Sequence, residues 1–440
     1  MVTRAARSSR VTVLSSAIVI LGLLLAGCAA TPGAEKRQLV EVPADAPTIS
    51  AALDLVAPGG MVLVSAGTYT ESVTVDVPDV TLRGTDRNAV IIDGEGLRAN
   101  GVQVIADGVR VQNLTVVAHT FNGVLVTGMH NANGAQAHNL DGYEKLDPEE
   151  FPPLERFEVS GVTASNNGLY GIYAFNSRHG VIRDNYASGA ADSGFYVGQC
   201  AECDILVTGN VAENNAIGYE NANASDSVVI AGNRFSNNRV GLTLLSWYQE
   251  AYLPQKSATV VGNLITDNTS ADSPAHALGA FGIGIGLSGA NTNTLERNLI
   301  AGNPSTGVQV TNTEDLASTG NHLIDNALVD NGVDLADLSA TRAPSTGTCL
   351  VGTIAARVLP AGFGTDCTAA SPVSTAAALP ELVVPPGVSF LRVTAGRPQP
   401  DFAGDSRALP ERLPATVDMP DLGSFALPDR SLFADRAASR

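Results

Sequence analysis

Two tyrosines and a glutamate share one phase of a recurring pattern. Tyr173, Tyr196 and Glu220 each stand two residues after a glycine, namely Gly171, Gly194 and Gly218. Aromatic faces beside a carboxylate suit sugars, because CH groups stack on rings while hydroxyls bond to charged groups. Glu220 or His179 can serve as a general base and Tyr196 as a proton donor. Arg178, Asp204, Asp226, Trp247 and Tyr248 fall on segments that can flank such a line and contact a ligand. His130, His138 and His179 are either a metal site or ordinary surface histidines. Asp184, Asp192 and Asp204 are candidate Ca²⁺ ligands, but no Asp-x-Asp spacing supports that. No metal or other cofactor is expected.

The elements that position these residues follow from the repeat. Gly171, Gly194, Gly218 and Gly241 lie 23, 24 and 23 residues apart, and Gly101, Gly123, Gly284, Gly307 and Gly332 extend the series. Asn/Gly turns every few residues forbid long helices. The runs VQV, VLV, IYA, FYV and LTL alternate with period two, one side chain in and the next out. Coils of this kind bury their apolar faces only by stacking. The fold class is therefore all-β: a single-stranded right-handed parallel β-helix, a three-sheet solenoid of roughly 10–12 coils. Asn185, Asn210, Asn233, Asn263, Asn298 and Asn321 are expected to stack in one column, as a structural ladder.

The alternation puts Gln103, Leu125, Tyr173, Tyr196, Glu220, Thr243, Gly286 and Gln309 outward on one sheet. Two insertions, about 129–157 and about 247–256, leave the coil at the same corner. Together they predict a walled cleft floored by Tyr173, Tyr196 and Glu220. His130 and His138 would lie on one wall, Trp247 and Tyr248 on the other, and Arg178, His179, Asp204 and Asp226 at the corner between.

Residues 46–340 form the solenoid in this reading. Ile49, Ala52, Leu53 and Val56 give a short amphipathic helix that can cap its first edge. Residues 341–367 close it, and 368–440 are a Pro-rich irregular tail, with 12 of the 23 prolines beyond residue 340. SFLRV at 389–393 is the tail's candidate strand. Residues 1–27 join a basic start (Arg4, Arg7, Arg10) to an apolar run, and residues 28–45 are a tether. Leu25-Ala26-Gly27-Cys28 closely resembles the lipobox of bacterial lipoprotein signal peptides, which implies cleavage before Cys28, lipidation of its thiol and an anchored, exported protein. Without residues 1–27 the net charge falls from −18 to −21, which argues against nucleic-acid binding and disfavours polyanions unless cations bridge them. In an oxidising compartment Cys200/Cys203 and Cys349/Cys367 read as two local disulfides, with a zinc site as the rival reading.

The stretch TISAALDLVAPGGMVLVSAGTYTESVTV, followed by VTLRG and IIDG, resembles the start of pectin-lyase-like β-helix proteins. Among these are pectin methylesterases and the copper-related accessory protein of nitrous oxide reductase. The chain lacks the Gln-Asp, Asp and Arg set of the methylesterases and the Asp-Pro-His of mannuronan epimerases. The block YGIYAFNSRHGVIRDNYASGAADSGFYVGQC resembles a family of exported bacterial β-helix proteins, often lipoproteins, which implies fold and location and assigns no reaction. Three functions stay open. One is a monomeric, membrane-anchored protein binding a polysaccharide or envelope partner. The others are a polysaccharide lyase, epimerase or hydrolase using the same cleft, and an accessory protein handling copper.

Overall fold

The computed structural model describes residues 35–137, 145–248, 250–367 and 379–438. Residues 1–27, read above as a signal peptide, lie outside them, as do Cys28 and His138. Among the described residues, strands form three parallel sheets of twelve, ten and eleven members. Each coil visits them in turn, as in Ser177–Arg183, Tyr186–Ser188 and Ser193–Ala201. This is a parallel β-helix of the expected size, and no helix among the described residues is long and apolar enough to cross a membrane.

The glycine column has a steric cause. A Cβ on Gly218 would sit 2.5 Å from the carbonyl oxygen of Gly241, and one on Gly284 2.5 Å from that of Gly307. Any larger residue would push stacked coils apart at this corner. The expected outward line also holds in register: Gln103, Leu125, Tyr173, Tyr196, Glu220, Thr243, Gly286 and Gln309 are successive partners on the third sheet. The inward residues between them, such as Ile172, Phe195, Tyr219 and Leu242, are fully buried in a continuous core.

Asparagine amides tie the coils. Each of Asn185, Asn210, Asn233, Asn263 and Asn298 donates through Nδ2 to Oδ1 of the next, at 2.9–3.0 Å. The sixth member is Asn326, not Asn321. Asn321 instead accepts from Asn293 at 2.9 Å, in a separate column that includes Gln255. A further ladder joins Asn215, Asn238, Asn268, Asn303 and Asn331.

The short helix spans Ile49–Leu53, with the Thr48 hydroxyl accepting from Ala51 N at 3.1 Å. Ile49, Ala52 and Leu53 join the core, and Val56 already begins a strand. Cys200–Cys203 and Cys349–Cys367 are both disulfide-bonded. The tail is extended along the solenoid, where arginines hold its backbone. Arg83 donates to Ser406 and Ala408, Arg239 to Pro385 and Pro386, and Arg297 to Leu422 and Phe425. SFLRV is not a strand: Phe390–Arg392 form a 3-10 turn, whose carbonyl at Phe390 accepts from Asn166.

Candidate functional site

Both foreseen insertions leave the corner between the third and first sheets, after Val124–Thr127 and Val240–Leu245. The first does not stand up as a wall. It folds down over the floor, packing Met129, Ala135, Ala137, Leu146 and Phe151 onto Tyr173 and Tyr196. Those rings are 1% and 3% exposed. Tyr173 stacks on Tyr170 at 4.3 Å with 8° between planes, and Tyr196 meets Tyr173 edge-on at 4.6 Å. The expected open floor of Tyr173 and Tyr196 is therefore corrected: the apolar side chains of the insertion cover it, and neither ring lines an opening.

The cleft lies further along the same sheet. A cavity of about 850 Å³ runs over Glu220, Thr243, Gly286 and Gln309, continuing the outward line where no insertion covers it. Trp247 and Tyr248 edge it, 41% and 49% exposed. Asn223 shapes their loop, accepting from Trp247 N and donating to the carbonyls of Trp247 and Ala251. His276, Leu278 and Ala280, from a third insertion after Leu264–Thr266, also line the cleft. Arg239 bonds to Ser273 and to the tail at Pro385 and Pro386, so the tail braces this insertion.

The remaining expected residues sit elsewhere. His179 belongs to a first-sheet strand, with Nδ1 2.9 Å from Asp204 Oδ2 and Nε2 3.4 Å from Glu155 Oε2. Arg178 pairs with Glu155 at 2.6 Å, and Asp226 with Lys256 at 3.5 Å. None of Arg178, His179, Asp204 and Asp226 lines the cleft, and His179 does not join Glu220 and Tyr196. His130 lies on an exposed hairpin strand that pairs with Gly134–Ala135. Among the described residues no group of three His, Cys, Asp or Glu is placed to hold a metal.

Glu220 is 5% exposed at the inner end of the cleft. Its Oε2 accepts from the Ser193 hydroxyl at 2.7 Å. Burial, reinforced by the neighbouring Asp192 and Glu250 carboxyls, raises its pKa well above the usual glutamate range, against the opposing bond from Ser193. A side-chain hydrogen bond with Asp192 adds to the rise. The same burial, with Asp192 and Glu220 nearby, raises the Tyr170 hydroxyl. Glu220 thus tends to keep its proton, which suits a donor rather than the base expected from the sequence. Tyr170, Glu250, His276 and Glu314 line the cleft but were not foreseen, and Asp192, named only as a Ca²⁺ candidate, lines it too. Tyr170 and Asp192 each lie just ahead of the glycine-led pattern, where alternation counted from the glycine does not reach.

The folded chain holds this proton to higher pH than the unfolded chain, where glutamates titrate near 4.5. Its contribution to stability is present below that value and is lost as pH rises. Glu220→Gln, which mimics the neutral acid, is expected to stabilise the protein at pH 8. The gain should vanish at pH 4. Thermal melts of both proteins at the two pH values check this, and an equal difference at both would contradict it.

The fold and its cleft define a parallel β-helix protein with an open trough on one sheet. The family model described as "Right handed beta helix region" matches residues 80–257 and 251–349, more than half of the chain, and the chain belongs to this family. No curated protein matches the sequence. Among solved structures it is similar to the A-module of the Azotobacter vinelandii mannuronan C-5 epimerase AlgE4. That match is 19% identical with a TM-score of 0.49, covering 67% of this chain and 79% of that one. It is also similar to the pectate lyase Pel9A, at 14% identity and a TM-score of 0.44, covering 74% and 79%. The alginate lyase AlyGC of family PL6 matches at 14% and 0.43, covering 73% and 40%. Likeness at these identities concerns the fold alone.

Proposed function

We propose that this is an exported, lipid-anchored monomer that binds a polysaccharide segment in the trough of the third sheet. The observation that carries the reading is the pair of exposed aromatic side chains, Trp247 and Tyr248, beside a polar floor of Glu220, Thr243 and Gln309. Neighbouring strands lie about 4.8 Å apart, so the four coils from Glu220 to Gln309 present a floor of about 14 Å. That suits a short run of sugars, with ring faces on the aromatics and hydroxyls on the floor. The lipobox at Cys28 and the two disulfides support export.

The carboxyl pair favours a second reading, a hydrolase, lyase or epimerase using the same trough. In a hydrolase or lyase Glu220 would give its proton to the leaving glycosidic oxygen, with the Asp192 side chain beside it. Calorimetric titration with oligosaccharides separates the possibilities. Trp247→Ala is expected to weaken binding roughly tenfold. Unchanged affinity in that variant would remove the binding reading. Glu220→Gln should abolish product formation and spare affinity if the protein turns its ligand over.

A further inference from the structure

The charge of the trough narrows its ligand. The Asp192, Glu250 and Glu314 carboxyls line it, beside Glu220, which holds its proton. Among the described lining residues there is no lysine or arginine, and His276 is the single basic side chain. The whole chain carries a net charge of −18. A cleft walled by one sign of charge concentrates the opposite sign and repels its own.

The geometry is built rather than loose. Gln199 is fully buried, accepts from Ala251 N at 3.1 Å through Oε1, and donates through Nε2 to Glu250 Oε2. This bridge fixes the carboxyl of Glu250, a residue that lines the cleft. Asp192 and Glu220 are coupled through Ser193, whose hydroxyl reaches both, at 3.2 and 2.7 Å. Trp247 and Tyr248 stand at the edge with exposed faces, and such faces attract ammonium groups as well as sugar CH groups.

Resting on the binding reading above, we propose that the ligand is a polysaccharide of hexosamines bearing free amino groups. The ammonium groups would lie between the Asp192 and Glu250 carboxylates, and the sugar faces on Trp247 and Tyr248. A uronate chain would instead bring carboxylates onto carboxylates. An N-acetylated chain would keep the stacking and lose the ion pairs.

Calorimetric titration of the full protein with three hexamers tests this: fully deacetylated glucosamine, its N-acetylated counterpart, and an oligouronate. Oligolysine serves as a charge control. The deacetylated hexamer should bind at least roughly tenfold more tightly than the acetylated one, a difference of about 1.4 kcal/mol. The oligouronate should bind more weakly than either, and high salt should shrink the gap. Asp192→Asn with Glu250→Gln should bring the two hexosamine hexamers to equal affinity. Should that double variant fail to fold, Glu314→Gln at the exposed rim should still narrow the gap. Equal or reversed preference between the hexosamines, or tightest binding of the uronate, would overturn the inference and leave polysaccharide binding standing. Oligolysine binding as tightly as the deacetylated hexamer, insensitive to Trp247→Ala, would also overturn it. Binding of none of the glycans would remove the binding reading as well.

Discussion

Tyr173→Ala is expected to cost about 3–5 kcal/mol of stability, the usual range for deleting a buried aromatic side chain, while changing affinity for oligosaccharide only a few-fold. The ring is 1% exposed and contacts Tyr170, Tyr196 and Phe175, with centroids 4.3, 4.6 and 5.4 Å away. Its loss would leave a cavity beneath the insertion that carries Met129 and Phe151. Binding would feel the change only through Tyr170, which both stacks on Tyr173 and lines the trough. Urea denaturation beside calorimetric titration checks the pair of values. A loss under about 1 kcal/mol, too small for a core deletion, together with collapse of affinity would show the tyrosines to be an open floor after all.

Asn233→Ala should be as damaging for a different reason. The side chain is fully buried at the middle of its ladder. Nδ2 donates to Asn263 Oδ1 and to the Val207 carbonyl, both at 2.9 Å, and Oδ1 accepts from Asn210 N and Nδ2. Removing it strands several buried polar groups at once, each costing about 1–3 kcal/mol when left unpaired. A total of about 3–5 kcal/mol is expected once the neighbours relax. Asn331, at the end of the other ladder and only partly buried, should cost less when replaced by alanine. Equal effects at the two positions would mean that the ladder does not act as a chain of dependent bonds. Because coils in a solenoid depend on their neighbours, the central lesion should also loosen coils on either side, readable as faster amide exchange there.

The repeat was legible because its causes are local and recur. The glycine column avoids the carbonyl of the next coil, and the asparagine column closes hydrogen bonds along the axis, so both print themselves at every turn. Within the asparagine column, the misplacement of Asn321 for Asn326 arose where two asparagines five residues apart feed different columns. The outward line was correct from Gln103 to Gln309. What covers that line was not legible. Alternation separates inside from outside, and it says nothing of whether an insertion stands beside the sheet or lies upon it. Met129, Leu146 and Phe151 hold the answer, since an insertion with apolar anchors has something to bury. The tail's attachment was hidden for a related reason. Arg83, Arg239 and Arg297 grip backbone carbonyls, and a carbonyl leaves no mark on the sequence of the segment that supplies it.

The chain contains one tryptophan, Trp247, and it stands at the edge of the trough. Its fluorescence therefore reports the proposed site without any label. Titration with the hexosamine oligosaccharide, followed by emission and by acrylamide quenching, addresses the binding claim directly. Sugar stacked on the indole should shift emission to shorter wavelength, protect it from acrylamide and saturate at the affinity found by calorimetry. Calorimetric binding that leaves the emission and quenching of Trp247 unchanged would place the ligand elsewhere and contradict the account.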